Sequence, residues 1–168
     1  LRLPEGGSKL VIVAGQPLDM NEEDCMLFSF TDLEPRRKAE IALRQSEERF
    51  AKSFRLTPVP TLVCNADNRQ VVDINEAFMS ITGYTSEEIL YQDCRFLQSG
   101  DRDQDSLKLI RETLDNGGSC REILRNYRKD GTPFWNELSI STVKNVEDGQ
   151  TYFVGVQKDV TVQVKAQQ

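Results

Sequence analysis

The stretch Asn126–Ile140, NYRKDGTPFWNELSI, decides how this chain is read. Asp130-Gly131 between two alternating runs is a hairpin signal, because a tight turn needs residues that tolerate a left-handed backbone. A loop with an odd number of residues, such as Lys129-Asp130-Gly131, puts the even positions of both strands on one face. That face reads Leu124, Asn126, Phe134, Asn136, Leu138 and Ile140, and the other reads Arg125, Tyr127, Trp135, Glu137 and Ser139. The even face is apolar, with two asparagines in its middle. A buried amide without a partner costs about 1–3 kcal/mol, so the pair needs a reason. On the following strand Phe153, Gly155 and Gln157 share a face, and Gln157 adds a third amide. Gly155 removes a side chain there, which lets a flat group approach the sheet. Carboxamides both donate and accept, so several on one apolar face suit a planar heterocycle edged with carbonyls and N–H groups. Bonding of the amides to one another or to loop backbone explains them equally well. The strand pattern leaves both readings open.

Outward from this hairpin, residues 56–161 read as one domain. Pro58 and Pro60 break a preceding helix. Short strands follow near 61–65 and 70–74, and Asn75 is placed to cap the helix EAFMSITGY. Short helical turns occupy 86–98. Asp101 is placed to cap a longer helix running to about Asn116, which Gly117-Gly118 ends. Strands near 119–129, 133–145 and 150–161 close the domain. Two strands, several helices and three strands predict an α+β fold, a five-stranded antiparallel sheet with helices on one face.

The N-terminal third has a different texture. Residues 8–33 read as a hairpin, SKLVIVAG and CMLFSFTDL joined by the turn QPLDMNEED, and two strands alone are marginal in water. Residues 35–55 read as a helix begun by Asp32 and Pro35, with a thin apolar stripe of Ala39, Leu43, Phe50 and Phe54. That span carries seven Lys/Arg against three Glu, which suits a linker or coiled-coil arm better than a core element. The strand ending in Asp32 resembles the strand ending in Asp159, and both run into a charged segment. The expected organisation is therefore residues 1–33 as the last hairpin of a preceding domain of the same fold, 34–55 as a linker helix, 56–161 as the main domain, and 162–168 as the start of a second linker.

Composition narrows the function. The formal charge is −6 over 168 residues, which argues against a partner held through nucleic-acid phosphates. No apolar run approaches the roughly 20 residues of a membrane span, and no basic-then-apolar signal opens the chain. There is no histidine, which removes Ser-His-Asp triads, Cys-His pairs and histidine metal sites. Cys25, Cys64, Cys94 and Cys120 have no CxxC spacing and read as free thiols in a reducing cytoplasm. Arg95, Arg102 and Arg111 lie where they could share one anion, since guanidinium groups bind phosphate bidentately. Pairing with Asp101, Asp103 and Asp105 is the plainer alternative.

Three separated motifs, DCRFLQ, NYRKDGTPFWN and FVGVQKDVT, resemble in order and spacing the signatures of light-oxygen-voltage (LOV) photoreceptors, the blue-light branch of the PAS superfamily. The likeness covers about residues 56–161, and YQDCRFLQ followed by DRDQ is most similar to short bacterial members. The resemblance implies the PAS/LOV fold and a noncovalently bound FMN that forms a reversible cysteinyl-flavin adduct at Cys94. It implies ring contacts from Gln98, pyrimidine contacts from Asn126 and Asn136, and a ring-nitrogen contact from Gln157 that relays the signal. It further implies phosphate ligands at Arg95, Arg102 and Arg111, and a ring wall of Leu97, Leu107, Leu114, Leu138, Ile140 and Phe153. Tyr91-Gln92-Asp93 replace the usual Gly-Arg-Asn, and Cys64 falls where a threonine is common, which bears on the lifetime of the lit state. A homodimer through the flanks and an effector outside the chain are expected. The competing readings are a flavin-binding redox sensor without adduct chemistry and a cofactor-free dimerisation module. An enzyme is the weakest, for no acid–base constellation is present.

Overall fold

A computed structural model describes residues 6–20 and 23–167. The chain divides into two compact units, one ending at Ala51 and the other beginning at Lys52.

In the first unit, β1 (Val11–Met20) pairs antiparallel with β2 (Glu23–Asp32). The sequence predicts a long turn over 16–24, but both strands continue through it, with Gln16 opposite Leu27 and Asp19 opposite Asp24. Pro17 does not prevent this, because a two-stranded ribbon leaves each strand one edge without a partner. The tip of the hairpin, residues 21 and 22, lies outside the described residues. Leu18, Met26, Leu27, Phe28 and Phe30 of the ribbon are all exposed. Helix α1 (Glu34–Leu56) follows and buries none of its residues. Leu43 and Phe50, members of its predicted stripe, are exposed. Asp32 serves the helix start one position earlier than a cap residue does: its carboxylate accepts the Glu34 N–H at 2.9 Å.

The second unit is the predicted α+β domain. Its sheet runs β4-β3-β7-β6-β5, with β3 at Thr61–Asn65, β4 at Val71–Ile74, β5 at Ser119–Tyr127, β6 at Pro133–Lys144 and β7 at Thr151–Asp159. All four pairings are antiparallel. Between β4 and β5 lie α2 (Glu76–Thr82), α3 (Ser86–Ile89), a 3-10 turn (Phe96–Gln98) and α4 (Asp105–Asp115), and α5 (Thr161–Ala166) leaves the sheet. Asn75 begins α2 as expected, its Oδ1 accepting the Phe78 N–H at 3.0 Å. The same oxygen takes the Thr61 N–H at 2.9 Å, and Nδ2 donates to the Val59 carbonyl. One fully buried amide thus closes a helix and anchors a strand.

The β5–β6 loop has the expected odd length. Arg128 N–H bonds to the Thr132 carbonyl, leaving Lys129-Asp130-Gly131 as the loop, with Gly131 at φ 84°. Asn126 consequently faces Phe134, and Leu124 faces Asn136. The even face is the buried one.

Asp101 does not cap α4. The helix begins at Asp105 after Gln104. The Asp101 carboxylate instead takes the Arg125 guanidinium in two bonds, at 2.8 and 3.0 Å, and the Tyr127 hydroxyl at 2.9 Å. A bidentate charge-assisted pair outweighs a single cap bond. Gln104 works as an extra sheet rung: its Oε1 accepts the Arg125 N–H at 2.7 Å and its Nε2 donates to the Arg125 carbonyl at 3.1 Å. That supplies backbone partners at edge strand β5.

Ahead of the 3-10 turn, Tyr91 adopts φ 66°, a left-handed conformation. A non-glycine residue there costs about 1–2 kcal/mol, and the side chain is exposed and recovers little by packing. Glycine also loses more chain entropy on folding, about 0.5–1 kcal/mol. Tyr91→Gly is therefore expected to stabilise the domain by about 0.5–1 kcal/mol, read from urea unfolding. A stability loss contradicts the strain.

Candidate functional site

The inner face of β3, β7, β6 and β5 and the helices over it enclose a cavity of about 150 Å³. A single water needs about 10–15 Å³ by this measure, so the space suits a ring system rather than one ion. Leu62, Leu107, Ile110, Leu114, Leu124, Leu138, Ile140 and Phe153 supply its apolar walls. Gly155 sits opposite Leu62 on one side and Ile140 on the other. A Cβ built there would meet Gln157 Nε2 at 3.2 Å and Leu138 Cδ1 at 3.3 Å. Glycine keeps that part of the floor flat.

The three amides form one network. Asn136 Nδ2 donates to Asn126 Oδ1 at 2.8 Å and to Gln157 Oε1. Asn136 Oδ1 accepts the Lys158 N–H, Asn126 Nδ2 donates to the Arg125 carbonyl, and Gln157 Nε2 donates to the Gly155 carbonyl. Among the described residues no buried side-chain nitrogen or oxygen lacks a partner. The amides bond to one another and to backbone, the plainer of the two alternatives. Asn126 and Gln157 line the cavity, while Asn136 is wholly buried and does not. Leu97 is likewise in the core and not on the cavity wall. The other predicted site residues, Cys94, Arg95, Gln98, Arg102, Leu107, Arg111, Leu114, Leu138, Ile140 and Phe153, all line it.

The cavity lining is also cationic. Arg69, Arg95, Arg102 and Arg111 all line it, alongside Asp115. Arg95 holds Asp93 through Nε at 2.8 Å and through a second, shorter bond. A guanidinium has five N–H groups, so it keeps others for an anion. Its bond is the main reason that the Asp93 carboxyl is held down at about 2 instead of 3.8. A depressed acid stabilises the fold above its ordinary value and loses that contribution as pH falls toward the folded value. Acid unfolding is therefore expected to lose an Asp93-dependent component between pH 4 and pH 2. An Asp93→Asn variant, followed by circular dichroism, should lack that component. An unchanged profile contradicts the pairing.

Cys94 precedes the 3-10 turn, its N–H bonded to the Arg69 carbonyl at 2.8 Å. Phe96 fixes the turn edge-on against Tyr84, with ring centroids 5.0 Å apart, and against Phe78. The Cys94 thiol is held below its usual range, first by a hydrogen bond shared with the Cys64 thiol, with Arg69 and Arg95 adding to this, while burial and Asp93 oppose it. The same shared bond, together with burial, pushes Cys64 up.

Cys64 and Arg69 are two of the lining residues that motif reading did not assign to the site, with Leu62, Ile110, Asp115 and Leu124 among the others. Alternation along TLVCN, with Leu62 and Cys64 on one face, could have found the first. Arg69 turns in from a loop at φ 59°, for which no local pattern exists.

A model of the PAS domain family matches residues 58–162. The crystal structure of the Rhodobacter sphaeroides LOV protein superposes with a TM-score of 0.61 at 32% identity, over 69% of this chain and 67% of that one. The chain belongs to the LOV family of PAS domains. A blue-light photoreceptor of Listeria innocua is 38% identical to it over 114 residues, 67% of this chain and 45% of that protein. The structure of an RNA-binding light-oxygen-voltage receptor matches 97% of this chain and 42% of its own, with a TM-score of 0.65 at 28% identity. The LOV chain thus spans less than half the length of the curated relatives it matches. Among the described residues no helix is long and apolar enough to cross a membrane.

Proposed function

We propose that residues 56–161 are a blue-light sensing domain that holds FMN in this cavity, with Cys94 as the reacting thiol. The observation that carries the reading is one enclosure lined by two thiols, three carboxamides, a glycine-flattened floor and four arginines. When bound, the flavin supplies light absorption and an excited electrophilic centre for sulfur.

The chain's own residues do the rest. Arg95, Arg102 and Arg111 bind the single phosphate, and Gln98 and Asn126 meet polar edges of the ring. Asn136 acts from behind, holding Asn126 and Gln157 in register through its two donated bonds. Leu107, Leu114, Leu138, Ile140 and Phe153 would exclude water from the bound group, with Gly155 leaving room for it on the sheet. Cys94 would supply the reacting sulfur and give up its proton to the bound group, and Gln157, which lines the same cavity, would present its amide to that group. An amide that rotates there must change its bonds to Asn136 and Gly155 on the central strands. Strand β7 ends at Asp159, whose carboxylate pairs with Arg128 and accepts the Thr161 N–H that opens α5. The change therefore has a bonded route to the exit helix.

The test is an absorption spectrum of the purified protein before and after blue light. Flavin absorption should bleach and return in the dark, and Gln157→Leu should bleach while losing the light-induced change at α5. A coloured protein that never bleaches favours a redox sensor, and a colourless one a cofactor-free module.

The flanks complete the proposal. The exposed ribbon and α1 serve as the tail of a preceding unit of the same fold and as a dimer arm. Asp32 and Asp159 support the repeat: each ends a strand and accepts the N–H two residues on, both at 2.9 Å. A homodimer in the cytoplasm, relaying to an effector outside residues 56–161, fits the uncovered stripe of α1. Light scattering that shows a monomer at high concentration, dark and lit, contradicts the dimer.

A further inference from the structure

Beyond the photochemical thiol, the cavity holds a second sulfur. Cys64 points inward from β3 with 1% of its surface exposed. Across β4 its ladder neighbour is Val71. Beyond β4 the chain returns as an irregular extra rung: Val71 N–H bonds to the Gln92 carbonyl, Tyr91 N–H bonds to the Val71 carbonyl, and Gln70 bridges Asp93. Cys94 follows directly and packs against the buried cluster that contains Cys64. Both thiols line the same cavity, and the Cys64 thiol donates to the Phe153 carbonyl at 3.9 Å. Of the two other half-buried thiols, Cys25 lies on β2 of the ribbon and Cys120 on β5 beside Thr113.

We propose that hydrogen peroxide converts Cys64 and Cys94 into an intramolecular disulfide, and that this bond switches the light response off by consuming the sulfur it needs. The second half rests on the photosensory reading, and the first does not. Cys94 is the attacking sulfur. It is the more exposed of the two, and Arg69 and Arg95 favour its thiolate, the nucleophilic form. Its sulfur takes one peroxide oxygen, the O–O bond breaks, and one water leaves, giving a sulfenic acid. The Cys64 sulfur then attacks the Cys94 sulfur, the S–O bond breaks, and a second water leaves. Two thiols are oxidised and one peroxide is reduced. Cys94 lies in a turn outside any helix or strand, so its backbone can adjust to disulfide geometry more readily than that of β3.

The experiment treats the purified protein with hydrogen peroxide, alkylates the remaining thiols and maps peptides without reduction. A Cys64–Cys94 linked peptide, lighter by two hydrogens, is expected, and it should be absent from Cys64→Ser and from Cys94→Ser. Cys64 recovered alkylated beside an over-oxidised Cys94, or Cys94 linked to Cys25, Cys120 or a second chain, overturns the pairing. In the same samples the bleaching amplitude should fall in proportion to the bridged fraction and return with dithiothreitol. Full bleaching of fully bridged protein overturns the switch. The bridge is scored by mass whether or not the protein is coloured, so a colourless preparation counts against the photosensory reading alone.

Discussion

Cys94→Ala is expected to abolish light-induced bleaching entirely while the protein keeps its flavin and its fold. The substitution removes one atom from the cavity wall and none of the backbone bonds that shape the site. The Cys94 N–H still reaches the Arg69 carbonyl, and the 3-10 turn remains braced by Phe96 against Tyr84 and Phe78. Stability should change by no more than about 1 kcal/mol, in line with small substitutions that strand no polar group. The arginines proposed to bind phosphate and the carboxamides are untouched, so flavin content should match the parent. The absorption spectrum before and after blue light checks both halves at once. Normal bleaching in the variant would mean that another sulfur, with Cys64 the nearest, does the chemistry. Loss of colour would mean that Cys94 is a structural residue.

The second large effect belongs to Asn136→Leu. Leucine keeps the branched skeleton of asparagine while its methyl groups are bulkier, so the change removes the bonding and adds some crowding. It strands Asn126 Oδ1, Gln157 Oε1 and the Lys158 N–H, the three partners of the Asn136 amide. Each unpaired buried group costs about 1–3 kcal/mol, and some recover partners by turning toward the cavity. The expected loss is about 2–4 kcal/mol, a large share of the 5–15 kcal/mol typical of a domain. Flavin content should fall as well, because Asn126 and Gln157 lose the residue that orients them. Urea unfolding and the flavin-to-protein absorbance ratio check the two effects. A loss under about 1 kcal/mol with unchanged flavin content would make the network ornamental, since a half-satisfied buried cluster is otherwise strongly destabilising.

Much of this site was legible before any coordinates. Period-two alternation and an Asp-Gly turn place Asn126, Asn136 and Gln157 on one face, because strand side chains must alternate and a three-residue loop sets the register. The observed pairing of Leu124 with Asn136 follows that rule. Asn75 before a helix is equally local, for its carboxylamide needs only an N–H three residues on.

What failed was local reasoning applied to groups with distant partners. Asp101 looks like a helix cap, but it meets Arg125 and Tyr127 more than twenty residues away, and a bidentate guanidinium outweighs a backbone N–H. Asn136 and Asn126 are equivalent by alternation, yet only Asn126 lines the cavity, while Asn136 is wholly buried and donates to Asn126 and Gln157.

Taken alone, the order of residues determines which face of each strand is apolar, where its helices start and turns fall, and which motifs mark a LOV domain. Tertiary structure alone decides that Cys64 and Cys94 line one cavity, that Arg69 joins three other arginines there, and that Asn136 bridges two amides. Those meetings depend on the path of the chain between elements tens of residues apart, and side-chain periodicity carries no information about that path.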